Sequence, residues 1–312
     1  MKLLVYTDGG PSSVRALHFA ARLVRQMDAE LAVITVRGGT HAIEPPPPFG
    51  EDVDLRDRLH LPSGLQILSH ALEVLCDEGL IDPGGNQTVR LGELTNGHLF
   101  VCRSREDRRI PFYVYFGTML DTLNHEIDIH HHDLLIIAPP ARGRLHKMML
   151  GDTTRKLVLD LHASILIVRG GHARSRFVVC ADGSAAAGRQ FSMLERLLPV
   201  ITHPLELAWV QTPDADAQQI AAAESYLEKI EKWLAAYGKP SKRLRLQGER
   251  PAEVITAAAG EDAVIFLGAS LRHDVYRRLK GSLPMQILSL TTSSVLVAKG
   301  LPEGEPVFLH QP

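Results

Sequence analysis

"KMMLGDTTRKLVLDLHASILIVRG" (Lys147–Gly170) and "RRLKGSLPMQILSLTTSSVLVAKG" (Arg277–Gly300) align without a gap at a constant offset of 130 residues. Only Gly151/Gly281, Ser164/Ser294, Leu166/Leu296 and Gly170/Gly300 are identical, yet the chemical pattern recurs along much of the run. Each copy reads as a glycine, a helix, and a short apolar run, "SILIVR" or "SVLVAK". An unbroken apolar run of that length is a strand buried on both faces, as parallel sheets require. A chain of 312 residues is comfortable for two separate cores. The chain writes one domain twice.

The repeat extends backwards. "KLLVYTDGG" (Lys2–Gly10) and "RFVVCADGS" (Arg176–Ser184) are apolar runs that stop at Asp-Gly. A helix is expected after each. In "PSSVRALHFAARLVRQM" the residues Val14, Leu17, Ala21, Val24 and Met27 fall near i, i+3, i+4 spacing, with Pro11 and Ser12 as the start signal. Its counterpart is "SAAAGRQFSMLERLLPV". Second strands, "ELAVITV" and "PLELAWV", follow, and the fourth strands "DLLIIA" and "AVIFLG" again lie 130 residues apart. Strands alternating with helices predict an α/β fold: two tandem, doubly wound, five-stranded parallel-sheet domains, Rossmann-like and related by a pseudo-twofold. The expected domains are 1–170 and 176–300, with a tail at 301–312.

Between second and fourth strands the halves differ. The second has a helix, the strand "RLRLQG" and the helix "PAEVITAAAG". The first has "EPPPPFGEDVD", whose "PPPP" is read as a stiff surface loop, a helix near Pro62–Glu78, and three strand-like pieces. "RIPFYVYFG" (Arg109–Gly117) is the expected third strand, and Gln87–Arg103 an inserted hairpin with turn chemistry in "TNG".

Composition narrows the function classes. Apolar residues are 45%, charged residues 22% and the net charge is −2, so no basic field invites nucleic acid. Cys76, Cys102 and Cys180 have no metal or redox spacing. No apolar run approaches the ~18 residues of a membrane span, and the apolar run before Asp8 is too short for a signal segment. The expectation is a cytoplasmic protein without membrane or nucleic-acid partners.

In open α/β sheets, ligands bind beyond the carboxyl ends of the strands, where strand order reverses. Those ends are Asp8/Asp182, Val36/Val210, and the loops "APPARGRLHKMMLGDT" and "GASLRHDVYRRLKGSL". A helix start after such a loop offers unpaired N–H groups to a phosphate. On these residues the chain resembles the universal stress proteins. Their signature is Gly, two residues, Gly, nine residues, Gly, then Ser or Thr, with an Asp closing strand one. The resemblance covers nearly all of Lys2–Gly170 and Arg176–Gly300. It implies an adenine nucleotide alpha hydrolase-like fold. In nucleotide-binding members this loop holds the phosphates and ribose of ATP, the Asp and a residue after strand two flank the adenosine, and no Walker lysine is used.

Departures from the signature separate the halves. The second reads Gly268-Ala-Ser-Leu271, nine residues, Gly281-Ser282. The first reads Ala138-Pro-Pro-Ala141, nine residues, Gly151-Asp152. Its leading glycines are gone, and two prolines remove backbone donors. A carboxylate ~4 Å from a phosphate is repelled by ~4 kcal/mol at an effective dielectric of ~20. A lost neutral hydrogen bond costs only ~0.5–1.5 kcal/mol. Repulsion dominates, so the first site reads as disabled. The resemblance therefore assigns an adenine nucleotide, ATP with or without Mg²⁺, to the second half, on Asp182, Gly183, Val210, Gly268, Ala269, Gly281, Ser282 and Leu283. Arg272, Arg277, Arg278 and Lys280 lie between the glycines and read as solvated charge.

Other candidates read more plainly. "HEIDIHHH" (His125–His132) is taken as a solvated loop on the edge opposite the ligand face, with no metal assigned. Ser12, Ser13 and Ser184 are taken as helix caps, since no G-x-S-x-G elbow surrounds them. The cysteines are taken as inert. No base–nucleophile pair is evident, so the chain is expected not to be a dedicated enzyme. The leading expectation is a stress-response regulatory or protective protein, with an unidentified protein partner. The alternatives are a nucleotide-free scaffold of the same fold and, ranked below it, a related ATPase. Within the family the last strand lies at a sheet edge and pairs with another copy. An open apolar edge invites aggregation. Two copies in one chain therefore imply a built-in pseudo-dimer with Ile165–Val168 antiparallel to Val295–Ala298, leaving a homodimer of chains open.

Overall fold

The computed structural model describes residues 1–38, 50, 52–84, 88–139, 151–170, 176–181, 185–269 and 282–299. They fall into two compact units. The first holds those within Met1–Ala141 and Asp160–Ala163, the second those within Arg142–Leu159 and Ser164–Pro312.

The first unit runs β1 (Lys2–Tyr6), α1 (Pro11–Gln26), β2 (Glu30–Arg37), β3 (Asp52–Asp54), α2 (Ser63–Asp77), β4 (Thr88–Arg90), β5 (Gly92–Leu94), β6 (Gly97–Arg103), β7 (Arg109–Phe116), α3 (Met119–His130) and β8 (Leu134–Ile137). Its sheet has the order β8-β1-β2-β7-β6-β5. The first four strands are parallel, with Val5 beside both Val33 and Ile136 and Val33 beside Phe112. Leu3, Leu4 and Val5 are wholly buried, as strands covered on both faces must be. Arg109–Phe116 is thus the third parallel strand. The insertion lies along its free edge: β6 pairs antiparallel with β7, and β5 with β6. A small antiparallel ribbon pairs β3, which precedes α2, with β4 of the insertion. Gly97 is where β6 begins, and a Cβ there would stand 1.9 Å from the Val114 carbonyl oxygen. Only glycine fits so close to the neighbouring strand.

Two expectations about helices change. The buried face of α1 is Ala16, Leu17, Phe19, Ala20, Ala21 and Leu23, while Val14, Val24 and Met27 are half-buried. The helix touches α2 as well as the sheet, so its buried arc is wider and turned from the one the spacing suggests. The histidine-rich stretch is not a solvated loop. It is the last turn of α3 and its cap, with Glu126 wholly buried and His131 at φ 55°, the left-handed conformation that ends a helix.

The second unit runs α4 (Asp152–Asp160, its last residue counted with the first unit), β9 (Ser164–Ile167), β10 (Arg176–Cys180), α5 (Ala185–Leu197), β11 (Leu205–Gln211), α6 (Ala217–Ala236), β12 (Ser241–Gln247), α7 (Pro251–Ala259), β13 (Ala263–Ala269), α8 (Leu283–Leu290) and β14 (Ser294–Lys299). The order is β12-β11-β10-β13-β14-β9, parallel except for the last pair. A capping box opens α6: Gln219 N donates to Asp216 Oδ1 at 2.7 Å, and Asp216 N to Gln219 Oε1 at 3.1 Å.

The last strand of the first repeat, β9, belongs to this second unit. It lies antiparallel to β14, with Ile165 opposite Val297, Leu166 opposite Leu296 and Ile167 opposite Val295. Leu166 therefore faces its own repeat equivalent, and the pairing is symmetric in sequence about that residue. The flanking bonds obey the same symmetry. Ser164 Oγ accepts from Lys299 N at 3.1 Å, and Ser294 Oγ accepts from Arg169 N at 3.1 Å. Beyond the ladder Arg169 breaks it. Its guanidinium donates to Leu288 O at 2.7 Å and to Thr291 O, where α8 ends. Unpaired carbonyls and the negative dipole end favour a cation there.

Candidate functional site

In the second unit the chain passes from β10 outward to β11 and β12, then returns to the other side of β10 as β13. Strand order reverses between β10 and β13, so the crevice lies beyond the carboxyl ends of those two strands. Cys180 is level with Ala208, and Val179 with Phe266. Val210 and Gly268 each stand two residues further along, on either flank of that crevice, and both are half-buried. Gly268 and Ala269 pair with Ala298 and Lys299, so the ladder continues to the mouth. The expected site residues Asp182, Gly183 and Gly281 lie outside the described residues. So does the Leu271–Lys280 stretch with its basic side chains.

Ser282 is the N-cap of α8, in extended conformation at φ −69° and ψ 155°. Its hydroxyl makes no capping bond, and its Oγ is buried with no hydrogen-bond partner among the described residues. Pro284, in the first turn, has no N–H to offer, so Leu283 and Met285 supply that turn's donors. A short helix start whose hydroxyl has no partner among the described residues, with two amides beside it, suits an anion.

The sequence did not suggest Gln190. It is wholly buried, its Nε2 donates to Cys180 O at 2.8 Å, and its Oε1 has no partner among the described residues. It pins the end of β10 from α5. A polar residue beside Phe191, Met193 and Leu194 on an otherwise apolar face was the available signal.

The first unit's corresponding turn is engaged with itself. Gly10 N donates to Asp8 Oδ1 at 2.8 Å, and Gly9 N to Thr7 Oγ1 at 3.2 Å. Thr7 Oγ1 also meets Ser13 Oγ at 3.1 Å, and Ser13 Oγ donates to Gly10 O at 2.8 Å. The two serines are therefore not caps. The N-cap of α1 is Gly10, Ser13 locks the turn, and Ser12 accepts from Arg15 at 3.2 Å. Gly9 adopts φ +76°, and Ile67 of α2 would stand 3.1 Å from a Cβ placed there. That aliphatic side chain packs over the turn. Tyr6, below it, has its hydroxyl pushed up to about 12 by burial and by the Asp8 charge, against the opposing pull of Arg37. Asp152 occupies the first turn of α4, where its repeat equivalent is Ser282 at the N-cap of α8.

The thiols are chemically quiet. Burial pushes Cys76 up to about 11 and Cys102 up to about 12, and Cys180 is buried. Among the described residues no cluster of three or more His, Cys, Asp or Glu is placed to hold a metal ion. None of their helices is long and apolar enough to cross a membrane.

No family model matches the chain, and no curated protein matches it. Solved structures do. A universal stress protein from Archaeoglobus fulgidus DSM 4304 is similar over 96% of this chain and 98% of its own, with a TM-score of 0.62 and 17% identity. A functionally unknown protein from Pseudomonas aeruginosa PAO1 is similar over 96% of this chain and 92% of its own, with a TM-score of 0.60 and 16% identity. The chain has the fold of the universal stress proteins, carried by two α/β repeats in tandem.

Proposed function

We propose that this chain is a stress-response regulatory or protective protein whose second unit takes up an adenine nucleotide. The observation that carries the reading is the start of α8: a buried Ser282 hydroxyl with no hydrogen-bond partner among the described residues, and the first-turn amides of Leu283 and Met285. ATP is the proposed ligand, with Mg²⁺ as its counter-ion. Ser282 and the first-turn amides would take phosphate oxygens, and Val210 would line the apolar side. No lysine follows the glycines in the P-loop manner, and no described carboxylate or imidazole hydrogen-bonds the Ser282 hydroxyl. Binding without efficient turnover is the consequence. The test is to denature freshly purified protein and chromatograph the supernatant. Co-purifying adenine nucleotide near one per chain supports the reading; its absence, together with no binding of added ATP, overturns it.

A second reading applies to the first unit. Ile67 over Gly9 and the self-bonded Asp8 turn favour a ligand-free scaffold there.

A further inference from the structure

β7 of the first unit and β12 of the second are equivalent strands, each reached from β1 or β10 through one neighbour. On β7 the inserted β6 lies antiparallel, and Ile110, Phe112 and Val114 are buried. Beyond β12 no further strand of the described residues follows, and none of the seven residues Ser241–Gln247 is buried. The bonds to β11 show which main-chain groups are left over. Leu205 N donates to Pro240 O at 3.0 Å and Gly248 N to Gln211 O at 3.2 Å, with Leu205 level with Ser241 and Gln211 level with Gln247. Main-chain groups alternate along a strand, so the even-numbered residues bond to β11. Ser241, Arg243, Arg245 and Gln247 turn their N–H and C=O groups outward, where no described residue takes them.

The side chains give that edge a sign. Arg243 is already paired: its Nε donates to Glu231 Oε1 at 2.8 Å and its Nη2 to Glu231 Oε2 at 2.6 Å, with Glu224 as a further partner. Lys242 and Arg245 are exposed, lie on opposite faces of the strand, and have no ion-pair partner among the described residues. Glu206, level with Lys242, is taken by Arg176 Nε at 3.1 Å. Leu244 and Leu246, on the Lys242 face, are half-buried. A second copy of this chain is a poor occupant. Two β12 strands meeting antiparallel must set outward residues against outward residues. Every register of large overlap then places Arg243 or Arg245 opposite another arginine, and like charges directly opposite destabilise a pair. A nucleic acid would meet the cations but has no strand backbone to complete the ladder. Carboxylates on an extended polypeptide satisfy both requirements.

We propose that the outer edge of β12 docks an extended acidic segment of a partner protein, which joins the sheet antiparallel as its next strand. The orientation is the one β6 takes on β7. Main-chain bonds to Ser241, Arg243, Arg245 and Gln247 hold the segment, and side chains select it, as in strand addition generally. The register defines the sequence sought. From its amino end the segment carries an apolar residue opposite Leu246, a carboxylate opposite Arg245 and an apolar residue opposite Leu244. Any residue then lies opposite Arg243, and a second carboxylate opposite Lys242. The two cations serve twice, because the charge that admits this segment also keeps two copies of the chain apart. The inference does not rest on the nucleotide reading.

Amide NMR of the full chain, titrated with the capped peptide acetyl-Thr-Val-Glu-Val-Thr-Glu-Thr-amide, tests this. Saturable shifts should centre on the outward amides of Ser241, Arg243, Arg245 and Gln247. The same peptide N-methylated at its third and fifth residues keeps its charge but loses two ladder donors, and should bind at least about tenfold more weakly. Lys242→Glu combined with Arg245→Glu should weaken the original peptide on the order of tenfold. That variant should instead take the version with lysine in place of glutamate, which also shows that it is folded. No saturable shift at those amides, equal binding of the N-methylated peptide, or an unchanged preference in the variant would overturn the proposal. So would a wild-type dimer that the double variant abolishes, since the occupant would then be a second copy.

Discussion

Ser164 and Ser294 occupy equivalent places and make equivalent bonds, each accepting a main-chain N–H at 3.1 Å from the opposite strand. Ser164→Ala and Ser294→Ala should each lower unfolding stability by about 0.5–1.5 kcal/mol, and by similar amounts. Urea titration of the two variants checks this; one costly and one silent substitution would mean the symmetry is only geometric. Arg169→Met should cost more, about 1.5–3 kcal/mol for charge-assisted bonds removed from the end of α8. The two serines were visible in the sequence as identities across the repeat. The role of Arg169 was not, because its guanidinium acts on carbonyls 119 and 122 residues away. Gln190 was missed for the same kind of reason: its partner is a strand carbonyl that no local spacing announces.

At the scale of elements, the insertion shows what pattern reading resolves. The turn chemistry of "TNG" announced a hairpin, and β6 does lie antiparallel to β7 and cover the first unit's edge. Gly97→Ala should therefore cost about 1–3 kcal/mol by pushing β6 off β7. Thermal unfolding measures it, and a variant as stable as the wild type would show that the edge does not depend on that close approach. The end of α3 was misread because three consecutive histidines look like a solvated loop. The helical signal was nevertheless present: Leu123, Glu126 and Ile127 share one face, and all three are buried. What spacing could not reveal is that a carboxylate on that face finds the Tyr115 hydroxyl. The candidate site was legible as far as its strand ends and its Ser282 helix start. Whether those groups are engaged depends on tertiary contacts such as Ile67 over Gly9.

For the whole molecule, the repeat carries a structural consequence. The first repeat lends its last strand to the second unit, so a fragment beginning at residue 172 lacks β9 and exposes the apolar edge Val295–Val297. That fragment should self-associate in sedimentation velocity experiments; a stable, soluble monomer at high concentration would contradict the pairing's role. Hydrolysis, if assayed, should stay far below the ~10 s⁻¹ typical of enzymes, and faster turnover surviving rigorous purification would sink the non-enzyme reading. The central claim is that the two repeats share a fold but differ at the ligand face. Calorimetric titration of ATP into the full chain tests it most directly. The account predicts one site per chain, lost in Ser282→Asp and unchanged in Asp152→Ala. Two equivalent sites, or binding that survives Ser282→Asp, would contradict it.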